Sequence, residues 1–264
     1  MEQLRELVSS RRGFVLDLDG TVYLGDTLIP GADEVIRRLR RAGKRVAFVT
    51  NKPIARREEY ARKLQHLGIE CSERDIINSS LVLARYLQRT MPGGRVYPVA
   101  ERPVIADLKS HGLRICRRPD RIDAVVISWD RGINYRKLCV AYEAAMRGAA
   151  LVATNPDRTC PMPGHNLPDA ACMIAAIEAC TERKVDPIVG KPSEIMLREV
   201  LDMTQLAPSD CVMIGDRLET DMLMAARAGL AGVLVLTGVS RRPAGPVEGV
   251  SVVADSLADL LSAL

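Results

Sequence analysis

Two aspartates, Asp17 and Asp19, end the apolar run that begins at Phe14-Val-Leu, and Gly20-Thr21 follows them. Residues i and i+2 of an extended chain share a face, so both carboxylates point the same way. Held that close they repel, and they need a cation, a shared proton or a positive ligand to ionise together. A solvated turn after a strand uses the same residue types, so this pair alone leaves both readings open. A second apolar run, Cys211-Val-Met-Ile, ends in Gly215-Asp216, with Asp221 five positions on. If the two runs are parallel neighbours, Asp216 falls beside Asp17 and Asp221 lies about one helical turn further along. Carboxylate oxygens unaccompanied by His or Cys describe a magnesium site better than a zinc or copper one. Thr50-Asn51 ends a third apolar run, and Lys191, between Gly190 and Pro192, precedes an expected helix. A hydroxyl, an ammonium, a hard cation and a carboxylate nucleophile at one edge are what a phosphoryl group requires.

Elements that alternate between apolar runs and helical periodicity must position these groups. Strands are expected at residues 14–18, 46–50, 76–77, 95–99, 124–128, 151–154, 211–214 and 233–236. Helices are expected at 32–41, 56–67, 81–89, 103–111, 135–147, 170–181, 194–201 and 219–228, with a last strand and helix after Gly249. Strand, short helix and strand within about 35 residues make a parallel βαβ unit. The fold class is therefore α/β, a doubly wound, Rossmann-like parallel sheet whose ligands sit at the carboxyl edge. Spacing adds a constraint: 33 positions separate Asp17 from Thr50 and 25 separate Lys191 from Asp216, but 141 separate Thr50 from Lys191. The middle interval is too long for one crossover, so a second α/β domain must be inserted there. Met91-Pro-Gly-Gly is the expected boundary, which gives a core of residues 1–90 and 185–264 and a cap of residues 91–184. Such a cap would exclude water and select substrates by closing.

Composition narrows the functional classes. The 264 residues are 47% hydrophobic and 27% charged, with a formal charge of +4 from mixed signs and 3% aromatic residues. Nucleic acid is not an expected partner, because stacking platforms are scarce and no basic block accumulates. The longest apolar run is far below the roughly 20 residues of a membrane span. The acidic N-terminus is unlike a signal peptide, so the cytoplasm is the expected location. The seven cysteines form no C-x-x-C pair and read as buried thiols.

The segments Asp17-Leu-Asp-Gly-Thr, Val49-Thr-Asn, Gly190-Lys-Pro and Gly215-Asp-Arg-Leu-Glu-Thr-Asp221 resemble, in order and spacing, the four motifs of the haloacid dehalogenase superfamily. The insertion resembles the C2 cap of its class IIA branch, the NagD-like, nitrophenylphosphatase-like and AraL-like sugar phosphatases. Trp129-Asp-Arg-Gly-Ile-Asn-Tyr135 and Ala153-Thr-Asn-Pro-Asp157 are similar to cap segments of that branch. The resemblance implies a phosphatase in which Asp17 is the nucleophile and Asp19 the general acid and base. It implies Mg2+ held by Asp17, the main-chain carbonyl of Asp19 and Asp216, with Asp221 ligating directly or through water. Thr50, the amide of Asn51 and Lys191 would bind the phosphoryl oxygens. In the loop of residues 158–169, His165 and Asn166 are the candidates for contact with a small phosphorylated metabolite, a sugar or polyol phosphate. By the same analogy a homodimer through the cap is possible. Dehalogenase chemistry would need neither Asp19 nor a metal. A phosphotransferase differs only in its acceptor, and a signalling receiver domain would carry no cap.

Overall fold

The computed structural model describes residues 2–162 and 164–264. Helix α1 (Glu2–Ser10) precedes β1 (Gly13–Leu16), the small hairpin β2 (Tyr23–Leu24) and β3 (Thr27–Leu28), α2 (Ala32–Arg41), β4 (Arg45–Thr50), α3 (Arg57–His66), β5 (Ile76–Asn78) and α4 (Ser79–Thr90). The inserted segment contributes β6 (Arg95–Val99), α5 (Arg102–Ser110), β7 (Arg114–Ile115), β8 (Ala124–Ile127), α6 (Tyr135–Met146), β9 (Ala150–Ala153), the hairpin β10 (Thr159–Met162) and β11 (His165–Pro168), and α7 (Ala170–Thr181). The chain closes with α8 (Glu194–Thr204), β12 (Cys211–Gly215), α9 (Leu223–Ala228), β13 (Ala231–Val235) and β14 (Val252–Ala254).

The larger sheet is six-stranded and parallel, in the order β14-β13-β12-β1-β4-β5. Strand β1 lies at its centre, where every residue is buried. The pleat sends Phe14 and Leu16 into one apolar layer and Val15 into the other, so helices must cover both faces. Leu16 pairs with Ile214 on one side and Phe48 on the other, and the Asp17 amide donates to the Ile214 carbonyl at 2.9 Å. This register carries the ends of β1, β12 and β4 to a single edge, as the motif spacing requires.

A second, four-stranded parallel sheet in the order β7-β6-β8-β9 forms the insertion. The apolar layer behind the larger sheet continues into it through α4, whose Val82, Leu83 and Leu87 join Val96, Val104, Leu108 and Val126. Residues 186–189 return along β9: Asp186 donates to Leu151, Ala153 to Pro187 and Val189 to Ala153, at 2.9–3.0 Å.

Several elements differ from the sequence expectation, which does not include the hairpin β2–β3 or strand β7. Helix α1 was not anticipated, although Leu4 and Val8 form its buried stripe. The loop expected over 158–169 contains the antiparallel hairpin β10–β11. The helix expected from residue 219 begins with a wide π turn, Leu218–Met222, before α9. The final helix is a 3-10 segment, Leu257–Ala263, packed against α1 and α2. Among the described residues no helix is long and apolar enough to cross a membrane. All seven cysteines are free thiols, but only Cys71, Cys160 and Cys211 are buried, and Cys139, Cys172 and Cys180 are exposed on helix faces, contrary to the expectation of buried thiols.

Candidate active site

The carboxyl edge of the larger sheet gathers Asp17 after β1, Asp216 after β12 and Asp221 from the π turn. Carboxylate oxygens of these three buried residues lie within 4.8 Å of one another. Lys191, 2% exposed, reaches between two of them: its ammonium donates to Asp17 Oδ1 and stands 2.7 Å from Asp221 Oδ1. The second contact is an ion pair whose geometry falls short of a hydrogen bond. Burial pushes Asp17 well above the usual carboxylate range; Lys191 pulls it back, and Asp221 and Asp216 push it further up. Burial, and then the neighbouring Asp221, likewise push Asp216 up to about 7. Burial disfavours the Lys191 charge, but Asp17 and Asp221 outweigh it and raise its pKa above the ordinary value.

Three carboxylates against one ammonium leave two negative charges uncompensated when all are ionised, the deficit that a divalent cation removes. Asp216 Oδ1 is buried without a hydrogen-bond partner, whereas Oδ2 accepts from the Val239 amide at 2.6 Å. An orphaned carboxylate oxygen in an all-oxygen cluster fits a hard cation such as Mg2+. The backbone is folded tightly around this cluster. A Cβ on Gly215 would lie 2.3 Å from Asp221 Cγ, and one on Gly238 only 1.9 Å from Asp216 Oδ2.

Asp19 lies beside this cluster, with Lys52 Nζ 2.8 Å from Oδ1 and the Tyr23 hydroxyl donating to Oδ2 at 3.3 Å. Thr50 Oγ1 accepts from the Lys52 amide at 3.1 Å, which leaves its hydroxyl proton available as a donor. The Asn51 side chain is committed to scaffolding: Oδ1 accepts from the Lys191 amide at 2.7 Å, and Nδ2 donates to Asp157 at 2.8 Å and to the Lys191 carbonyl at 3.1 Å.

The cleft above these groups has a volume of about 40 Å3 and is walled by Asp17, Asp19, Thr50, Asn51 and Lys191, together with residues for which the sequence suggests no individual role. Lys52, Asp157, Cys160, Pro161, Asp169, Arg217 and Thr220 complete the lining. Asp157 comes from the insertion and is fixed by Asn51, by Asn155 at 2.9 Å and by Arg217 at 3.4 Å. Arg217 also donates to the Thr159 carbonyl at 2.6 Å, so the residue after Asp216 ties the larger sheet to the β10–β11 ribbon of the insertion. Asp169 is pushed up to about 6, by burial first and then by Asp157. Its position as the cap of α7, accepting from the Ala170 amide, marks it as structural. His165 and Asn166 are both exposed on β11 and are not among the residues that line the cleft. The part of the hairpin that reaches the cleft is Cys160-Pro161, on β10.

Comparison with known proteins is consistent with this geometry. Residues 14–114 match the family described as haloacid dehalogenase-like hydrolase, and residues 188–260 match a second hydrolase family of the same kind. The sugar-phosphatase AraL of Bacillus subtilis is 36% identical over 251 residues, covering 95% of this chain and 92% of its own. The chain belongs to the haloacid dehalogenase-like hydrolases. Within them it falls in the class IIA phosphatase branch that its motifs resemble. The p-nitrophenyl phosphatase of Archaeoglobus fulgidus superposes on this phosphatase with a TM-score of 0.89 at 32% identity, over 97% of this chain and all of its own. A glycerol phosphate phosphatase of Mycobacterium tuberculosis, solved in complex with magnesium, superposes at 0.87 with 31% identity over 96% of this chain and 77% of its own.

Proposed function

We propose that this phosphatase hydrolyses a small polyol or sugar phosphate with Mg2+, through a phosphoryl group carried on Asp17. The observation that carries the reading is Lys191 seated on Asp17 inside a carboxylate cluster, with Asp19 two positions on along the same edge. In this reading Lys191, the Thr50 hydroxyl and the Asn51 amide orient the phosphoryl oxygens. Asp17 attacks phosphorus, the bond to the leaving alkoxide breaks, and Asp19 delivers a proton to that alkoxide. Asp19 then takes a proton from water, the hydroxide attacks phosphorus, and the bond to Asp17 breaks to release inorganic phosphate. Asp17, Asp216 and the main-chain carbonyl of Asp19 would hold Mg2+, with Asp221 ligating directly or through water. Once bound, the ion supplies charge neutralisation and polarises a phosphoryl oxygen. The insertion serves as a cap over a cleft of about 40 Å3, which favours small leaving groups and excludes bulk water.

A panel of phosphomonoesters, assayed for phosphate release with and without Mg2+, tests the reading. Wild type should hydrolyse glycerol and sugar phosphates, and Asp19→Asn should lose about a hundredfold or more in kcat. The Mg2+ concentration for half-maximal activity should stay the same in that variant, since the proposed metal contact of Asp19 is main-chain. Equal rates in the two proteins would remove Asp19 from proton transfer. Gly238→Ala is expected to act the opposite way. The added methyl displaces the Asp216 carboxylate, so the half-saturating Mg2+ concentration should rise about tenfold or more. An unchanged value would dissociate Asp216 from the metal.

A further inference from the structure

The sequence segment Trp129–Tyr135 has no role in the scheme above, and Lys52 is a cleft cation whose ammonium pairs with Asp19 rather than with Asp17 or Asp221. The two meet across the cleft. Lys52 springs from the core, directly after Asn51, and its ammonium ends 2.8 Å from Asp19 Oδ1, with both side chains largely buried. Two residues of the insertion cover it. The Trp129 ring centroid lies 6.0 Å from Lys52 Nζ, and the Cys160 thiol lies against the same ammonium. The same indole is also approached by Arg131, whose guanidinium carbon is 5.6 Å from the centroid. Arg131 in turn is held by Glu101 through contacts of 2.6 and 2.7 Å. A continuous row therefore runs from Glu101 through Arg131, Trp129 and Lys52 to Asp19.

We propose that Lys52 is a positioning residue for Asp19 whose grip depends on the cap. With Trp129 and Cys160 over it, the Lys52–Asp19 pair is shielded from water and the carboxyl is confined to one orientation over the cleft. With the cap lifted, the same pair would be a hydrated ion pair on a flexible stem, and such pairs hold geometry poorly. Lys52 thus makes proton transfer by Asp19 conditional on closure, without touching the phosphoryl group. This inference rests on the phosphatase reading given above.

Trp129 is the single tryptophan of the chain, so its fluorescence reports this contact directly. Lys52→Met, which keeps length and removes charge, should be compared with wild type and with Lys52→Arg in two assays. These are steady-state hydrolysis of para-nitrophenyl phosphate, and titration of the Mg2+-loaded protein with inorganic phosphate while Trp129 emission is followed. The methionine variant is expected to lose about ten- to a hundredfold in kcat, with KM changed much less. It should also lose the phosphate-induced change in emission, and arginine should restore part of both. A rise in KM with kcat unchanged would make Lys52 a substrate-binding residue and overturn the proposal. So would a fall in kcat with the emission change intact, because the cap would then not be involved, and so would an unaltered kcat. If wild type itself releases no phosphate, the phosphatase reading fails instead. The emission titration then still decides whether the Lys52–Trp129 contact responds to an anion in the cleft.

Discussion

Asp17→Asn should abolish phosphate release and, at the same time, make the metal-free protein more resistant to heat. The first effect follows because an amide cannot carry the phosphoryl group; replacement of a covalent nucleophile removes about 10^4-fold or more of the rate. The second follows from the cluster itself. Asp17 shares a buried space with Asp216 and Asp221, and burial already pushes its pKa well above the usual range, the mark of a carboxylate whose charge is unwelcome there. Neutralising it leaves Lys191 its contact with Asp221 and lowers the repulsion among the remaining groups. Phosphate-release assays and thermal unfolding in chelator measure the two consequences separately. Residual activity equal to wild type would refute the nucleophile assignment, and a lower unfolding temperature in chelator would refute the crowding argument.

Chelation should destabilise the protein strongly at neutral pH and only weakly in mild acid. In the metal-free protein Asp216 is pushed up to about 7, first by burial and then by Asp221, whereas an unfolded aspartate titrates near 4. The folded state therefore binds this proton more tightly than the unfolded state does. Its contribution favours folding below about pH 4 and is lost as the pH rises through about 7. Asp17 shifts in the same direction. For Asp216 alone the interval is worth about 4 kcal/mol at most. Mg2+ replaces the missing proton with a cation, so the gain in unfolding temperature on adding Mg2+ should be larger at pH 7.5 than at pH 5, by roughly 10 °C. Scanning calorimetry at the two pH values, with Mg2+ or chelator, measures it. A gain at pH 7.5 equal to or smaller than that at pH 5 would mean that these carboxylates do not form the metal site.

Much of this site was legible because its residues terminate strands. Asp17, Thr50 and Asp216 each follow an apolar run, and a parallel sheet carries all such ends to one edge, so order and spacing were enough to bring them together. Lys191 was legible by company, as a cation before a helix at the right interval. Lys52, Asp157 and Arg217 were not, because each sits in a polar turn without periodicity and its partners lie far along the chain, 33 positions away for Asp19 and Lys52. The hairpin β10–β11 was hidden by its own composition. Pro161 and Pro168 argue against strands in a sheet interior, but a two-stranded ribbon has only edges and tolerates them. That is also why His165 and Asn166, chosen for their place in an expected loop, are found exposed on β11 while Cys160-Pro161 reach the cleft. Helix α1 had a visible stripe in Leu4 and Val8, but the 3-10 segment that covers it lies at the opposite end of the chain.

The pairing of residues 186–189 with β9 bears on any attempt to exchange specificity between phosphatases by recombination. A chimera spliced at residue 185 would leave a donor strand with its outer row of amides and carbonyls facing a foreign partner. The mismatch would be relayed within three residues to Lys191, whose amide is fixed by Asn51 and whose ammonium holds Asp17. Splicing at Gly190 transplants the ribbon intact. That glycine is also a close-packed junction, since a Cβ there would lie 2.5 Å from the Thr154 carbonyl oxygen and 2.6 Å from Asn51 Oδ1.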